Sequence, residues 1–148
     1  ELAVHALPHL EKRSGHMYFT SSIAGEVPIY RSSLYCSTKH AKNGFFYSLQ
    51  QELLARESSV SLTIGAFGLI WTKEMAKALA EQNPYPGWAT GSLEDCSRGI
   101  MEAYITRPQT MTFPRLAGII YRASWYFNPY FHWSIIQTVK PEGSEGTG

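Results

Sequence analysis

The sequence predicts an α/β fold with a parallel sheet, from two well-defined segments and from the order of all the elements. Residues 33–56 have the clearest helical pattern, with apolar or aromatic side chains recurring at Leu34, Ala41, Phe45, Leu49 and Leu53. Residues 60–67 (VSLTIGAF) are short and nearly uncharged, as is typical of a buried parallel strand. Helices and strands alternate along the chain, which favours crossover connections between parallel strands.

Shorter segments complete the order strand, helix, strand, helix, helix, strand. Residues 1–12 have helical spacing, which we expect Pro8 to interrupt, and residues 17–20 are a β-prone run ending at Ser21 and Ser22. Gly68 ends the buried strand. The later segments are a helix over 73–81 with Thr72 as N-cap, a helix opened by Ser92 that runs to about residue 105, and a last strand over 110–113.

Composition excludes several classes of function. The 148 residues suit one domain, and 44% hydrophobic with 17% charged residues provide for a packed core. The net charge of +1 and the lack of a basic stripe argue against a nucleic-acid partner. Cys36 and Cys96 are far apart and are predicted to be free thiols. His5, His9 and His16 lack a metal-binding spacing, so no metal site is predicted.

A Tyr-x-x-x-Lys pair opens the long helix and is the candidate catalytic centre. Tyr35 and Lys39 are four residues apart, so their side chains project from one helix face. A phenol ordinarily ionises near pH 10, and a nearby ammonium favours the phenolate, which suits such a pair to general acid/base chemistry. Ser22, thirteen residues before the tyrosine, ends the preceding strand and fits a group that orients a substrate carbonyl. Ser21 is the alternative.

Four short motifs follow one another along the chain: SSIAG at 21–25, YCSTK at 35–39, GFF at 44–46 and GLIWT at 68–72. Together they resemble the short-chain dehydrogenase/reductases, and among these the 11β-hydroxysteroid dehydrogenase type 1 group. The resemblance covers about residues 1–113. It implies a partial Rossmann-like, doubly wound parallel sheet, the C-terminal half of that fold, followed by an aromatic C-terminal helical segment.

The same resemblance implies roles for individual residues. Tyr35 would exchange a proton with the substrate oxygen, Lys39 would assist it and bind the nicotinamide ribose, and Ser22 would bind the carbonyl or hydroxyl. Ile70 and Thr72 would hold the nicotinamide carboxamide. The implied reaction interconverts a secondary alcohol and a ketone on a lipophilic, steroid-like small molecule. The implied cofactor is NADP or NAD, with NADP favoured.

The family's nucleotide-binding motif does not occur in the sequence. Family members begin with a strand, a Thr-Gly-x-x-x-Gly-x-Gly turn and a helix that bind the pyrophosphate, and none of the 148 residues fits that pattern. We therefore expect residues 1–113 to be the C-terminal half of a dehydrogenase domain. Two interpretations stay open: a fragment of a complete enzyme, or a truncated, non-catalytic membrane-surface or subunit-interaction protein.

Aromatic side chains concentrate in residues 114–139. Arg115, Arg122 and the Asn128-Pro129 pair interrupt this segment, so a transmembrane helix is not predicted. The pattern suits a membrane interface, and equally a cover over a substrate pocket or a homodimer contact. The resemblance implies the endoplasmic reticulum membrane or another intracellular membrane. Residues 140–148 are predicted to be a disordered tail.

Overall fold

The computed structural model describes residues 2–78, 87–127, 130 and 133–134. The α-helices of this part are α1 (Leu2–Glu11), α2 (Ser33–Ala55), α3 (Lys73–Ala78), α4 (Leu93–Thr106) and α5 (Arg115–Phe127). The strands are β1 (His16–Ser22), β2 (Ser61–Phe67), β3 (Leu69–Trp71), β4 (Thr90–Ser92) and β5 (Thr110–Phe113). Short 3-10 turns at Ile23–Gly25 and Gly87–Ala89 follow β1 and precede β4.

The main sheet has the order β1-β2-β5, and all of its pairings are parallel. Ser22 pairs with Phe67, and Phe67 in turn pairs with Phe113, so the three strands end level at one edge. Crossover helices between parallel strands account for this arrangement. The predicted α/β class and parallel sheet are confirmed.

Helices cover both faces of this sheet. On one face, α1 and α2 pack over a core that contains Leu49, Leu53 and Ile64, with Phe19 stacked on Phe46. On the other face, Tyr104 of α4 meets the His16 ring edge to face. Each large aliphatic side chain removed from water in this way contributes about 1.5–3 kcal/mol.

Three differences from the sequence predictions concern local structure. Helix α1 runs through Pro8, so the predicted interruption is wrong; packing of Leu7 and Leu10 against the core stabilises the helix despite the missing N–H donor. The three-residue strands β3 and β4 pair with each other and were not predicted, because so short a run carries no periodicity. Residues 79–81 of the predicted third helix and the predicted tail at 140–148 lie outside the described residues.

Asn43 joins helix α2 to the turn that follows β1. Its side chain is 1% exposed, and its Nδ2 donates a hydrogen bond to Gly25 O at 3.0 Å. Its Oδ1 accepts a hydrogen bond from Ser21 Oγ. Gly25 is required at this contact, because a Cβ there would lie 2.6 Å from Asn43 Nδ2 and 2.9 Å from Lys39 O. The turn is therefore fixed against the middle of α2.

Replacing Asn43 with Leu is expected to lower the free energy of unfolding by about 2–6 kcal/mol. The substitution leaves Ser21 Oγ and Gly25 O without their buried partner, and each such loss costs about 1–3 kcal/mol. Urea titration followed by circular dichroism measures the change. Lys42→Leu, at the exposed neighbouring position, serves as the control and should change stability by less than about 0.5 kcal/mol. Equal stabilities of the two variants would contradict the anchoring role.

His16 makes stability depend on pH. Its side chain is 8% exposed, its Nδ1 lies 2.8 Å from Ser61 Oγ, and its Nε2 has no hydrogen-bond partner among the described residues. Burial, with a further contribution from the Arg107 charge, lowers the pKa of His16 from its ordinary value of 6.5. The folded state therefore holds a neutral ring, and this contribution to stability is present above pH 6.5 and is lost as the pH falls.

The free energy of unfolding should accordingly fall between pH 7 and pH 5 by up to about 1.4 kcal/mol per pH unit from this one group. In His16→Gln that part of the slope should disappear, whereas His9→Gln, at an exposed position of α1, should keep it. Urea titrations at several pH values give the slopes. Identical slopes in the wild type and His16→Gln would show that protonation of the His16 ring is not coupled to unfolding.

Candidate active site

The carboxyl ends of β1 and β2 bring two predicted motifs to one edge of the sheet. Ser22 is the last residue of β1 and lies in register with Phe67, after which Gly68 leaves the sheet. The Gly68 N–H donates to Phe113 O at 2.7 Å, which holds this exit against β5. In open parallel sheets, ligands bind beyond the carboxyl ends of the strands. The candidate site therefore lies where such a fold binds small molecules.

Ser21 and Ser22 have different surroundings. Ser21 is buried, and its hydroxyl hydrogen is used in the bond to Asn43. Ser22 Oγ accepts a hydrogen bond from Ala24 N at 3.1 Å and caps the turn Ile23–Gly25. A hydroxyl group that accepts a hydrogen bond can still donate its own hydrogen to another acceptor. Ser22 is thus the better placed of the two to donate to a substrate oxygen.

Tyr35 and Lys39 occupy consecutive turns at the start of α2. Lys39 Nζ lies 5.4 Å from the centre of the Tyr35 ring, which is within the range of a cation–π contact. Tyr35 is 50% exposed, so a small molecule can reach this residue. The structure thus brings these two side chains together, as their spacing predicts. Their catalytic roles stay predictions.

The backbone brings the Ser22 turn close to Lys39. Gly25, three residues after Ser22, packs so tightly on α2 that a side chain there would strike the Lys39 carbonyl. Ile29 N also donates to Cys36 Sγ at 3.3 Å, which ties the end of the same loop to the first turn of α2. Cys36 and Cys96 are both free, as predicted, and both are buried.

Ile70 and Thr72 follow Gly68 at the same edge. Ile70 pairs with Gly91 in the small sheet, and Thr72 Oγ1 accepts a hydrogen bond from Met75 N at 3.1 Å. This bond confirms Thr72 as the N-cap of α3. The Thr72 hydroxyl hydrogen remains available for donation. Hydroxyl and ammonium donors of this kind suit the ribose and carboxamide of a nicotinamide, so the donor set fits the reactive end of that cofactor.

An ion pair near the site was not predicted from the sequence. Arg122 Nη2 lies 2.6 Å from Glu26 Oε2, and the Tyr47 hydroxyl donates to Glu26 Oε1 at 3.0 Å. Burial, and then the charge of Glu26, raise the pKa of Tyr47 to about 12. The charged residues stand 96 positions apart, so no sequence spacing could reveal the pair.

Two kinds of feature are absent from the described part of the chain. Among its residues no three His, Cys, Asp or Glu side chains are grouped to hold a metal ion. No helix of that part is both long and apolar enough to span a bilayer.

Comparison with known proteins gives relatives along most of the chain. A hydroxysteroid 11-beta-dehydrogenase 1-like protein of Danio rerio is 34% identical over 142 residues, which is 93% of this chain and 46% of the relative. The NADP-bound structure of ElxO is 25% identical, with a TM-score of 0.59 over 74% of this chain and 49% of the other. A short-chain dehydrogenase of Burkholderia cenocepacia in complex with NADP shares the fold, with a TM-score of 0.66, 16% identity and coverage of 90% and 51%.

The chain therefore spans about half the length of the proteins it matches. The family model described as short chain dehydrogenase matches residues 1–83. Those residues include β1, the Ser22 turn, all of α2 and the segment at 68–72. On this match, the chain belongs to the short-chain dehydrogenase family.

Proposed function

We propose that this chain supplies the proton-transfer centre of an NADP-dependent oxidoreductase, which interconverts a secondary alcohol and a ketone on a lipophilic, steroid-like substrate. The observation that carries the proposal is the contact between Lys39 and Tyr35, with the Ser22 turn packed against the Lys39 carbonyl. The name of the Danio rerio relative supports a hydroxysteroid substrate. The NADP bound to ElxO supports the cofactor.

Each residue has a separate task in the proposed reaction. Ser22 donates its hydroxyl hydrogen to the substrate oxygen and so fixes the carbonyl. Tyr35 passes its proton to that oxygen in reduction and accepts one in oxidation. Lys39 stabilises the phenolate that reduction leaves behind. The nicotinamide, when bound, gives or takes the hydride at the substrate carbon.

The chain's own residues would hold the nicotinamide end of the cofactor. The Lys39 ammonium suits the ribose hydroxyls. Thr72, whose hydroxyl hydrogen is not used in capping α3, suits the carboxamide together with the backbone of Ile70. The pyrophosphate requires backbone N–H groups at a glycine-rich turn, and no such motif occurs in these 148 residues.

Exposed aromatic side chains on and beyond α5 favour a second proposal, attachment to a membrane. Large apolar groups with more than a third of their surface exposed here are Leu116, Ile119, Trp125, Tyr126, Phe127, Tyr130 and Trp133. Trp and Tyr are enriched at membrane–water interfaces, and a lipophilic substrate is concentrated there. We propose the endoplasmic reticulum or another intracellular membrane as the location. A homodimer contact and a non-catalytic surface protein are the competing explanations of the same residues.

Replacing Tyr35 with Phe in the full-length protein is expected to lower kcat by about 10²–10⁴-fold, the usual contribution of general acid/base catalysis. The substitution removes one hydroxyl and keeps the ring that contacts Lys39, so NADP should bind with nearly unchanged affinity. Spectrophotometry of NADPH with a steroid ketone measures turnover, and protein fluorescence measures cofactor binding. Tyr30→Phe, five residues earlier, is the matched control and should be fully active. Normal turnover by Tyr35→Phe would refute the proposed role.

The membrane proposal predicts that the chain sediments with phosphatidylcholine vesicles. Replacing both Trp125 and Trp133 with Ala should weaken this binding by at least about tenfold, because each loses a large amphipathic ring from the interface. Met101→Ala, on the exposed face of α4, is the control and should bind as the wild type does. Unchanged binding of the double variant would mean that these two aromatic side chains have no membrane role, and would favour the dimer contact.

A further inference from the structure

The turn that carries Ser22 ends at a second anchored residue, Glu26. The backbone N–H groups of Glu26 and Val27 both donate to Ile23 O, at 2.9 and 3.0 Å. Ser22 caps the same turn from its other end through Ala24 N. Ser22 and Glu26 thus belong to one short hydrogen-bonded unit, and whatever holds the Glu26 side chain also restrains the backbone of Ser22.

A guanidinium and a phenol hold the Glu26 carboxylate. Arg122 Nε donates to Glu26 Oε2 at 2.7 Å, its Nη2 lies 2.6 Å from the same oxygen, and Tyr47 donates to the other oxygen. The Glu26 side chain is only 10% exposed and that of Arg122 is 35% exposed. In such a sheltered place a charge-assisted hydrogen bond is less screened by water than at the surface.

Arg122 also contacts strand β5, through the same nitrogen that lies against Glu26. Its Nη2 donates to Thr112 Oγ1 of β5 at 2.7 Å. Thr112 has little room to move, because its methyl group lies against the backbone of Gly118 on α5. The chain of contacts therefore runs from β5 through Arg122 to Glu26, and from there to Tyr47 of the catalytic helix α2.

We infer that Arg122 and Glu26 form a positioning pair, which holds the Ser22 turn in the place where its hydroxyl meets the substrate oxygen beside Tyr35. This inference rests on the proposed function. Neither side chain touches the reacting atoms. The pair acts through the turn Ile23–Gly25, which Asn43 restrains from α2 while Arg122 restrains it from α5. Loss of the pair displaces Ser22 and leaves the cofactor contacts of Lys39 and Thr72 in place.

The test uses Arg122→Ala in the full-length protein, with Arg115→Ala as the matched control. Arg115 lies on the same helix, is 82% exposed and reaches Glu102 at only 3.6 Å. We expect kcat to fall about 10–100-fold in Arg122→Ala, the scale of a displacement near 1 Å, with the KM for NADPH within about twofold. Arg115→Ala should match the wild type. Full turnover by Arg122→Ala would overturn the inference.

Chemical rescue separates positioning from general structural damage. Glu26, Tyr47 and Arg122 line an open groove between α2 and α5, so a small cation can reach the carboxylate. Guanidinium chloride at a few millimolar should restore part of the kcat lost in Arg122→Ala, and sodium chloride at the same ionic strength should not. A loss of kcat that guanidinium leaves unchanged would mean that Arg122 has only a structural role.

Hydrogen–deuterium exchange gives a readout that does not need activity. The amides of Glu26 and Val27 should exchange at least about tenfold faster in Arg122→Ala, because their turn loses one of its two anchors, and at the wild-type rate in Arg115→Ala. If these two amides exchange at the wild-type rate in Arg122→Ala, the inference is overturned, whatever the activity of that variant. Absence of steroid turnover in the wild type would instead count against the proposed function.

Discussion

The buried amide of Asn43 is the contact on which the arrangement of the site depends. It takes a hydrogen bond from Ser21 at the end of β1 and gives one to Gly25 three residues beyond Ser22. A buried amide whose donors and acceptors are paired specifies one geometry, since any shift leaves a polar group without a partner in the dry interior. The distance between the strand end and α2 is set in this way, and with it the approach of the Ser22 turn to the helix of Tyr35 and Lys39.

The charged contact from α5 adds a different kind of restraint. Asn43 fixes the turn to the helix beside it in sequence, whereas Arg122 fixes it to a helix about a hundred residues away. Ile23 and Val27, on either side of this turn, also pack with Ala117 of α5 in an apolar layer that is almost completely buried. This layer packs α5 against the turn that follows β1.

Sequence patterns predicted the parts of this molecule that are periodic or that belong to a family motif. The 3.6-residue pattern located α2 nearly to the residue, and the uncharged run at 60–67 located β2. The Tyr35–Lys39 contact also follows from helical spacing alone. Asn43 was missed because a polar residue breaks the apolar pattern, while Leu34 and Phe45 fit the pattern and are exposed. The Glu26–Arg122 pair exists only through tertiary packing, which no local rule describes.

The proposed reaction requires Ser22 and Tyr35 to meet at one substrate oxygen, with Lys39 beside the nicotinamide ribose. A crystal structure of the full-length protein with NADP and a steroid ketone tests this most directly. We expect Ser22 Oγ and Tyr35 Oη both within about 3.2 Å of the carbonyl oxygen, with Lys39 Nζ against the nicotinamide ribose. A ketone bound with its oxygen away from Tyr35, or a nicotinamide that leaves Lys39 uncontacted, would contradict the claim.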